Sequence, residues 1–211
     1  MHLLRRSAAA LVRDPSLVIV ALGFTTAQYL TGLKAGVLDI ESPWWILTMA
    51  VILLGSPAIH AWLIVRSRAL AGAGRASARA VWSQIVACFV RLLVGQIVVN
   101  ALVIAGLAVF IIPGVYIGVR LIYYKQAIIL DGLPVSGALY RSAELTVGWR
   151  TAAAVLARMV PIWAISFSVV AAATFFELGV AGDVLIIVGS AVSLAWVNAL
   201  LTMSYKRAQA T

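Results

Sequence analysis

Three arginines, Arg91, Arg120 and Arg158, interrupt long apolar stretches that hold no carboxylate near them in sequence. A guanidinium in such surroundings offers N–H donors in a planar fork that suits phosphate and carboxylate oxygens alike. Tyr116, Arg120 and Tyr124 recur at a spacing of four, which puts them on one face of a helix. The chemistry this predicts is the holding of an anion, such as a lipid headgroup, in a cytoplasm-facing site lined by Arg91, Arg120, Arg158, Tyr116 and Tyr124. The plainer alternative has Arg91 and Arg158 snorkelling to the membrane surface while Arg120 pairs with Asp131, Glu144 or helix-end carbonyls.

Other chemistries find less support. His2 and His60 are far apart and lack carboxylates at ligand spacing, so no metal and no cofactor is expected. Cys88 has no base beside it and reads as a packing residue, and Gly55-Ser56 and Gly189-Ser190 lack the strand-to-helix context of a nucleophile elbow. The seven carboxylates, Asp14, Asp39, Glu41, Asp131, Glu144, Glu177 and Asp183, all fall at or beyond the ends of apolar spans. Proton relays and cation-coupled pumps need an acid in mid-membrane, which disfavours that class.

The elements that must position these residues are transmembrane helices. With 64% hydrophobic residues, 11% charged residues and a mean hydropathy of +1.06, the composition excludes a soluble core. The net charge of +9 is scattered between apolar spans and does not form a nucleic-acid-binding stripe. The fold class expected is all-α: a single integral membrane domain over 1–211, with six transmembrane helices and interfacial amphipathic helices. Residues 1–14 read as an interfacial helix on an anionic leaflet, and Asp14-Pro15 as the cap of the first span. Spans one to three occupy 15–107, where Ser42-Pro43 repeats the cap and Trp44-Trp45 suits an aromatic belt. The loop at 66–82, with Arg66, Arg68, Arg75 and Arg79 and no acid, is the strongest positive-inside signal. It reads as a topogenic linker or a docking segment.

Residues 111–150 hold a kinked fourth span and a surface helix. Pro113 and Gly114 mark a kink or turn, Asp131-Gly132 ends the span, and Ser136 caps the surface helix. On that helix Ala138, Leu139, Ser142, Leu145, Thr146 and Trp149 face one way, Tyr140, Arg141 and Glu144 the other. Spans five and six fill 151–204, with a kink expected at Pro161, and 205–211 is a tail. Lys34 is the only basic residue of the three outer loops, so both termini are expected in the cytoplasm.

Ile112, Pro113, Gly114, Val115, Tyr116 and Arg120, followed by Asp131, Gly132, Pro134, Ala138, Arg141, Ser142, Leu145 and Gly148, form a pattern over about 40 residues. In these positions the chain resembles a loose group of prokaryotic six-helix membrane families. The group includes the membrane domain attached to some glycerophosphodiester phosphodiesterases. The resemblance implies a six-helix fold in a prokaryotic inner membrane and an association with phospholipid metabolism. Tyr123, Tyr124, Lys125 and Gln126 depart from the family's small, Pro-containing segment, and since the chain ends at Thr211 no catalytic domain is expected.

An internal match adds a topological expectation. Arg6-Ser7-Ala8 recurs as Arg141-Ser142-Ala143, and LLGSPAIHAW at 53–62 recurs as IVGSAVSLAW at 187–196, as in a parallel repeat of helices one-two and five-six. Chance matching among small residues is the alternative. Three function classes follow. The first is a non-enzymatic membrane protein that associates with anionic headgroups of membrane lipids or serves as an accessory subunit of a larger complex. The second is a carrier or channel for an anionic or amphiphilic solute, and the third a lipid-directed enzyme. Protein partners and a homo-oligomer are both open, because small-residue faces serve either.

Overall fold

Caps, prolines and glycines divide the apolar chain into helices and, among the described residues, into no strands. The computed structural model describes residues 2–35, 43–71, 77–176 and 178–209. In order these form α1 (His2–Arg13), α2 (Ser16–Ala35), α3 (Pro43–Ala50), a π turn (Val51–Gly55), α4 (Ser56–Ala71), α5 (Ala78–Val109), α6 (Ile111–Arg120), α7 (Tyr124–Leu130), α8 (Val135–Leu145), α9 (Trp149–Phe175) and α10 (Gly179–Gln209). Among the described residues, four continuous runs are long and apolar enough to cross a membrane: Pro43–Leu70, Ala78–Val109, Ala153–Ala173 and Gly179–Gln209. The pair His2–Arg13 and Ser16–Thr31 makes a fifth if it is counted as one span bent by 84°.

That bend has a local cause. Asp14 Oδ1 accepts the Ser16 backbone N–H at 3.2 Å and the Ser16 hydroxyl, capping α2, while Pro15 has no N–H with which to continue α1. Asp14 also pairs with Arg66 at 2.6 Å, with both side chains largely buried. Arg66 donates to Ser16 Oγ at 3.2 Å and lies 5.6 Å from the Trp62 ring centroid. Arg66 and Arg68 are therefore in α4, and Arg79 is in α5. The linker expected at 66–82 shrinks accordingly, and Arg75 lies outside the described residues, as do Asp39, Glu41, Ser42 and Glu177. Ser77 caps α5 by accepting from the Ala80 N–H at 3.3 Å. The π turn precedes Pro57, whose ring excludes a normal α-helical bond to the carbonyl four residues back.

The boundary between the third and fourth expected spans falls at Phe110, the one extended residue between α5 and α6 (φ −160°, ψ 156°). Pro113 and Gly114 do not kink a helix there. Pro113 sits in the first turn of α6, where its missing N–H is harmless, and Gly114 packs face to face with Gly106 of α5. A Cβ on Gly106 would stand 2.8 Å from Gly114 Cα, and one on Gly114 would stand 2.7 Å from the Leu107 backbone nitrogen. The pair thus lets two antiparallel backbones touch. A second break at 121–123 separates α6 from α7, so the expected fourth span is two helices rather than one. Pro161 lies within α9, which continues as one helix from Trp149 to Phe175.

Two buried clusters hold the bundle. The larger joins α4, α5, α7 and the end of α10 through Ile64, Ile85, Leu92, Tyr124, Ile128 and Tyr205; the smaller joins α2, α4 and α10 through Leu17, Leu63 and Ala195. Outside them, Val86, Val90 and Ile104 of α5 and Phe167 of α9 are exposed, as is usual for surfaces that meet lipid. The two internally matched segments lie in different settings, one across the π turn and α4, the other wholly inside the continuous helix α10. Their surroundings differ, since α1 packs on α10 whereas α8 packs on α7 and α5.

Candidate functional site

The arginines singled out by sequence are largely occupied by helix ends. Arg91 donates to the carbonyls of Gly132 (2.5 Å) and Leu133 (3.5 Å), in the turn that closes α7, and to Ala87 within its own helix (3.2 Å). Gly132 has φ 69°, the left-handed conformation typical of a residue just past a helix end. Arg120 donates to the Thr146 carbonyl at the end of α8 (3.2 Å), and its guanidinium lies 5.8 Å from the Tyr116 ring. Cations at carbonyl ends of helices are favoured by the macrodipole as well as by the hydrogen bond. Because the chain turns at 121–123, Tyr124 leaves the face it was expected to share. It is buried against Gly95, while Tyr116 is exposed. Arg158 is half-buried on α9. Tyr116 and Arg120 are thus brought together, and Tyr124 goes to the core.

The surface helix behaves as its pattern predicts. Ala138, Ser142 and Thr146 are fully buried and Tyr140 is 75% exposed. Ser142 Oγ accepts the Tyr123 N–H (3.0 Å) and donates to the Arg120 carbonyl (2.9 Å), and Thr146 donates to the same carbonyl (3.0 Å). These bonds satisfy backbone groups freed by the break between α6 and α7. The helix starts from Pro134, not Ser136, which lies inside the first turn. Arg141 pairs with Glu144 at 2.8 Å on the exposed side, and that carboxylate holds the guanidinium above its usual range. Asp131 accepts hydrogen bonds from Tyr205 and, at 2.9 Å, from Gln209, so one face of the last turns of α10 clamps the loop before α8.

Polar groups inside the long helices pack against neighbours. Gln84 donates to the Ile129 carbonyl (2.7 Å), Ser56 donates to Gln96 (3.1 Å), and His60 Nδ1 donates to the Ser56 carbonyl (2.7 Å). Cys88 donates to the Gln84 carbonyl and is buried, as expected of a packing residue.

The opposite face of α10 supplies a site that the sequence did not reveal. A groove of about 780 Å³ opens between α1, the end of α4 and the end of α10. His2, Arg6 and Arg13 line it from α1, on the stripe of residues that recurs every three or four positions. Lys206 and Arg207 line it from α10. Leu3, Leu70 and Met203 supply apolar lining, and no carboxylate of a described residue takes part. The ion pairs between described residues, Asp14 with Arg66 and Arg141 with Glu144, use none of these cations. The groove is therefore a cluster of positive charge, with no ion-pair partner among the described residues, over an apolar floor, which is the complement of an anionic amphiphile. Its wall is fixed by Trp196, whose Nε1 donates to Ser7 Oγ at 2.9 Å and seats α1 on α10. The positive stripe of α1 is legible in the sequence; its approach to residues about 200 positions later is a tertiary fact with no local signal.

No protein-family model, characterised protein or solved structure matches the chain.

Proposed function

We propose that this chain is a non-enzymatic integral membrane protein of the prokaryotic inner membrane, with six crossings and both termini in the cytoplasm. It holds anionic lipid headgroups in the groove between α1 and α10. The observation that carries this reading is the gathering of Arg6, Arg13, Lys206 and Arg207 around an apolar-floored groove with no carboxylate among the described residues that line it. A helix lying across the bundle axis, as the 84° bend makes α1 lie, suits the plane of a membrane surface. Six crossings require that α2 form one and that α6 and α7 together form another, broken as chains in lipid tolerate only where protein satisfies the freed groups. Ser142 and Thr146 satisfy them here. The turn between α5 and α6, with Phe110, Ile111 and Ile112 all exposed, suits lipid and not water. The end carrying α1, the end of α4, the start of α5 and the end of α10 holds most of the arginines, which favours the cytoplasmic side. The likeness of the 111–150 motif to membrane domains linked with phospholipid metabolism agrees with this reading but supplies no reaction.

The test is thermal stability of the purified protein in neutral detergent with added phosphatidylglycerol or phosphatidylcholine. Binding to the folded state alone stabilises by about 2.7 kcal/mol at a hundredfold excess over Kd. The anionic lipid is expected to raise Tm and the zwitterionic lipid to leave it unchanged. Equal effects of the two would refute the reading. An accessory-subunit role is compatible with the same site. A carrier role would require a water-accessible path past Arg120, whose guanidinium is bonded to the end of α8.

A further inference from the structure

Asn100 is exposed on α5, on the same stripe as Val86, Val90, Ile97 and Ile104. From Val86 to Ile104 that face is otherwise apolar and points away from the bundle. The two carboxamides nearest in kind are used internally: Gln96, one turn before, accepts from Ser56, and Asn198 donates to its own helix at Leu194. Asn100 makes no such bond, either to its own helix or to another described residue. Its depth follows from helix geometry. Arg91, tied to the turn after α7, lies nine residues before it, and Phe110, the turn of the α5–α6 hairpin, lies ten residues after, so about 14 Å of helix separate it from each of these two residues. Half the thickness of a hydrocarbon core is about 15 Å. An unpaired carboxamide thus faces lipid close to the bilayer midplane, where no water can satisfy it.

We propose that this face of α5 is the contact between two copies of the chain, joined by reciprocal hydrogen bonds between their Asn100 side chains. The proposal rests on the membrane reading above. A carboxamide carries both donor and acceptor, so an identical group related by a two-fold axis satisfies both at once. Ala101, beside Asn100, lets the second helix come close enough for short side chains to meet. A charged or large polar partner is not favoured, since the remainder of the stripe, Val86, Val90, Ile97 and Ile104, offers only apolar contact. Interhelical asparagine bonds in lipid contribute modestly, so loss of this one weakens association by about tenfold and does not unfold the protein.

The experiment uses the full chain in two formats. In membranes, Asn100→Cys in a Cys88→Ala background is oxidised beside a control with Phe167→Cys, an exposed position on α9. A disulfide-linked dimer from position 100 and none from 167 is expected. In lipid bilayers at graded dilution, fluorescence transfer between labelled copies should show Asn100→Leu dissociating at about tenfold higher density than the native chain, with Asn100→Gln close to native. Association of Asn100→Leu equal to native overturns the proposal, and so does a cross-link from position 100 to a protein of different mass. The membrane reading fails separately: a chain released from membranes by alkaline carbonate refutes that reading, whereas a carbonate-resistant monomer refutes only the dimer.

Discussion

Replacing Gly114 with alanine tests the α5–α6 hairpin directly, because the structure sets the size of the clash. The new Cβ would stand 2.5 Å from Leu107 Cδ2 and 2.7 Å from the Leu107 backbone nitrogen, where 3.4–4 Å is ordinary contact. The leucine tip can rotate aside, but the backbone nitrogen can move only if α5 and α6 separate by roughly 1 Å. Overpacking of this kind costs about 1–3 kcal/mol. Alanine recovers up to about 1 kcal/mol through its better helix propensity. The net expectation is a loss of about 1–2 kcal/mol. Gly118, one turn further along α6, is the internal control: its Cβ would meet only Val103 Cγ2 at 3.8 Å. Gly118→Ala should be neutral or stabilising by up to about 1 kcal/mol. Reversible unfolding in mixed detergent micelles measures both. If the two variants fall within about 0.5 kcal/mol of each other, the backbone contact between Gly106 and Gly114 is not where the structure puts it.

Three further outcomes follow from contacts elsewhere in the bundle. Asp14→Asn removes the carboxylate that pairs with the largely buried Arg66 guanidinium and should cost about 3–5 kcal/mol in the same unfolding assay, while Arg68→Gln, on the exposed side of α4, should cost almost nothing. Ser142→Ala strips the Tyr123 N–H of its partner at a fully buried position and should cost about 1–3 kcal/mol, with faster hydrogen exchange at Tyr123 as the local signature. Retention of anionic lipid should fall as salt rises from 0.1 to about 1 M and the screening length contracts from about 10 Å to 3 Å. Salt-independent retention would mean that acyl packing, not the groove's charge, holds the lipid.

Fold and site were legible in the sequence to very different degrees. Caps and periodicity were readable because they are local: Asp14-Pro15 did end one helix and start another, and Ala138, Ser142 and Thr146 did turn inward. Breaks were located less well. Pro113-Gly114 reads as a kink or a turn, and the turn is there but three residues earlier, at Phe110; the close approach of Gly106 to Gly114 that accompanies it is a contact between two helices and not a property of either. The fourth span was expected as one helix for a related reason, since the polar groups that satisfy the break at 121–123 come from Ser142 and Thr146. The arginines illustrate the same limit in charge. Arg120 bonds a helix-end carbonyl, at Thr146, as the plainer of the two sequence readings had it, whereas Arg91, expected to snorkel, bonds the carbonyl of Gly132. Arg6, Arg13, Lys206 and Arg207 look ordinary as surface charge, and only folding gathers them around one groove.

The measurement that bears most directly on the central claim is native mass spectrometry of the gently solubilised protein beside a variant carrying Arg6→Gln, Arg13→Gln, Lys206→Gln and Arg207→Gln. None of these four side chains has an ion-pair partner among the described residues, so the variant should fold and keep its Tm. The native chain is expected to retain anionic phospholipid through desolvation and the variant to lose it, with zwitterionic lipid unchanged in both. Equal retention of anionic lipid by the two proteins would contradict the account and return attention to the remaining basic residues of the membrane face.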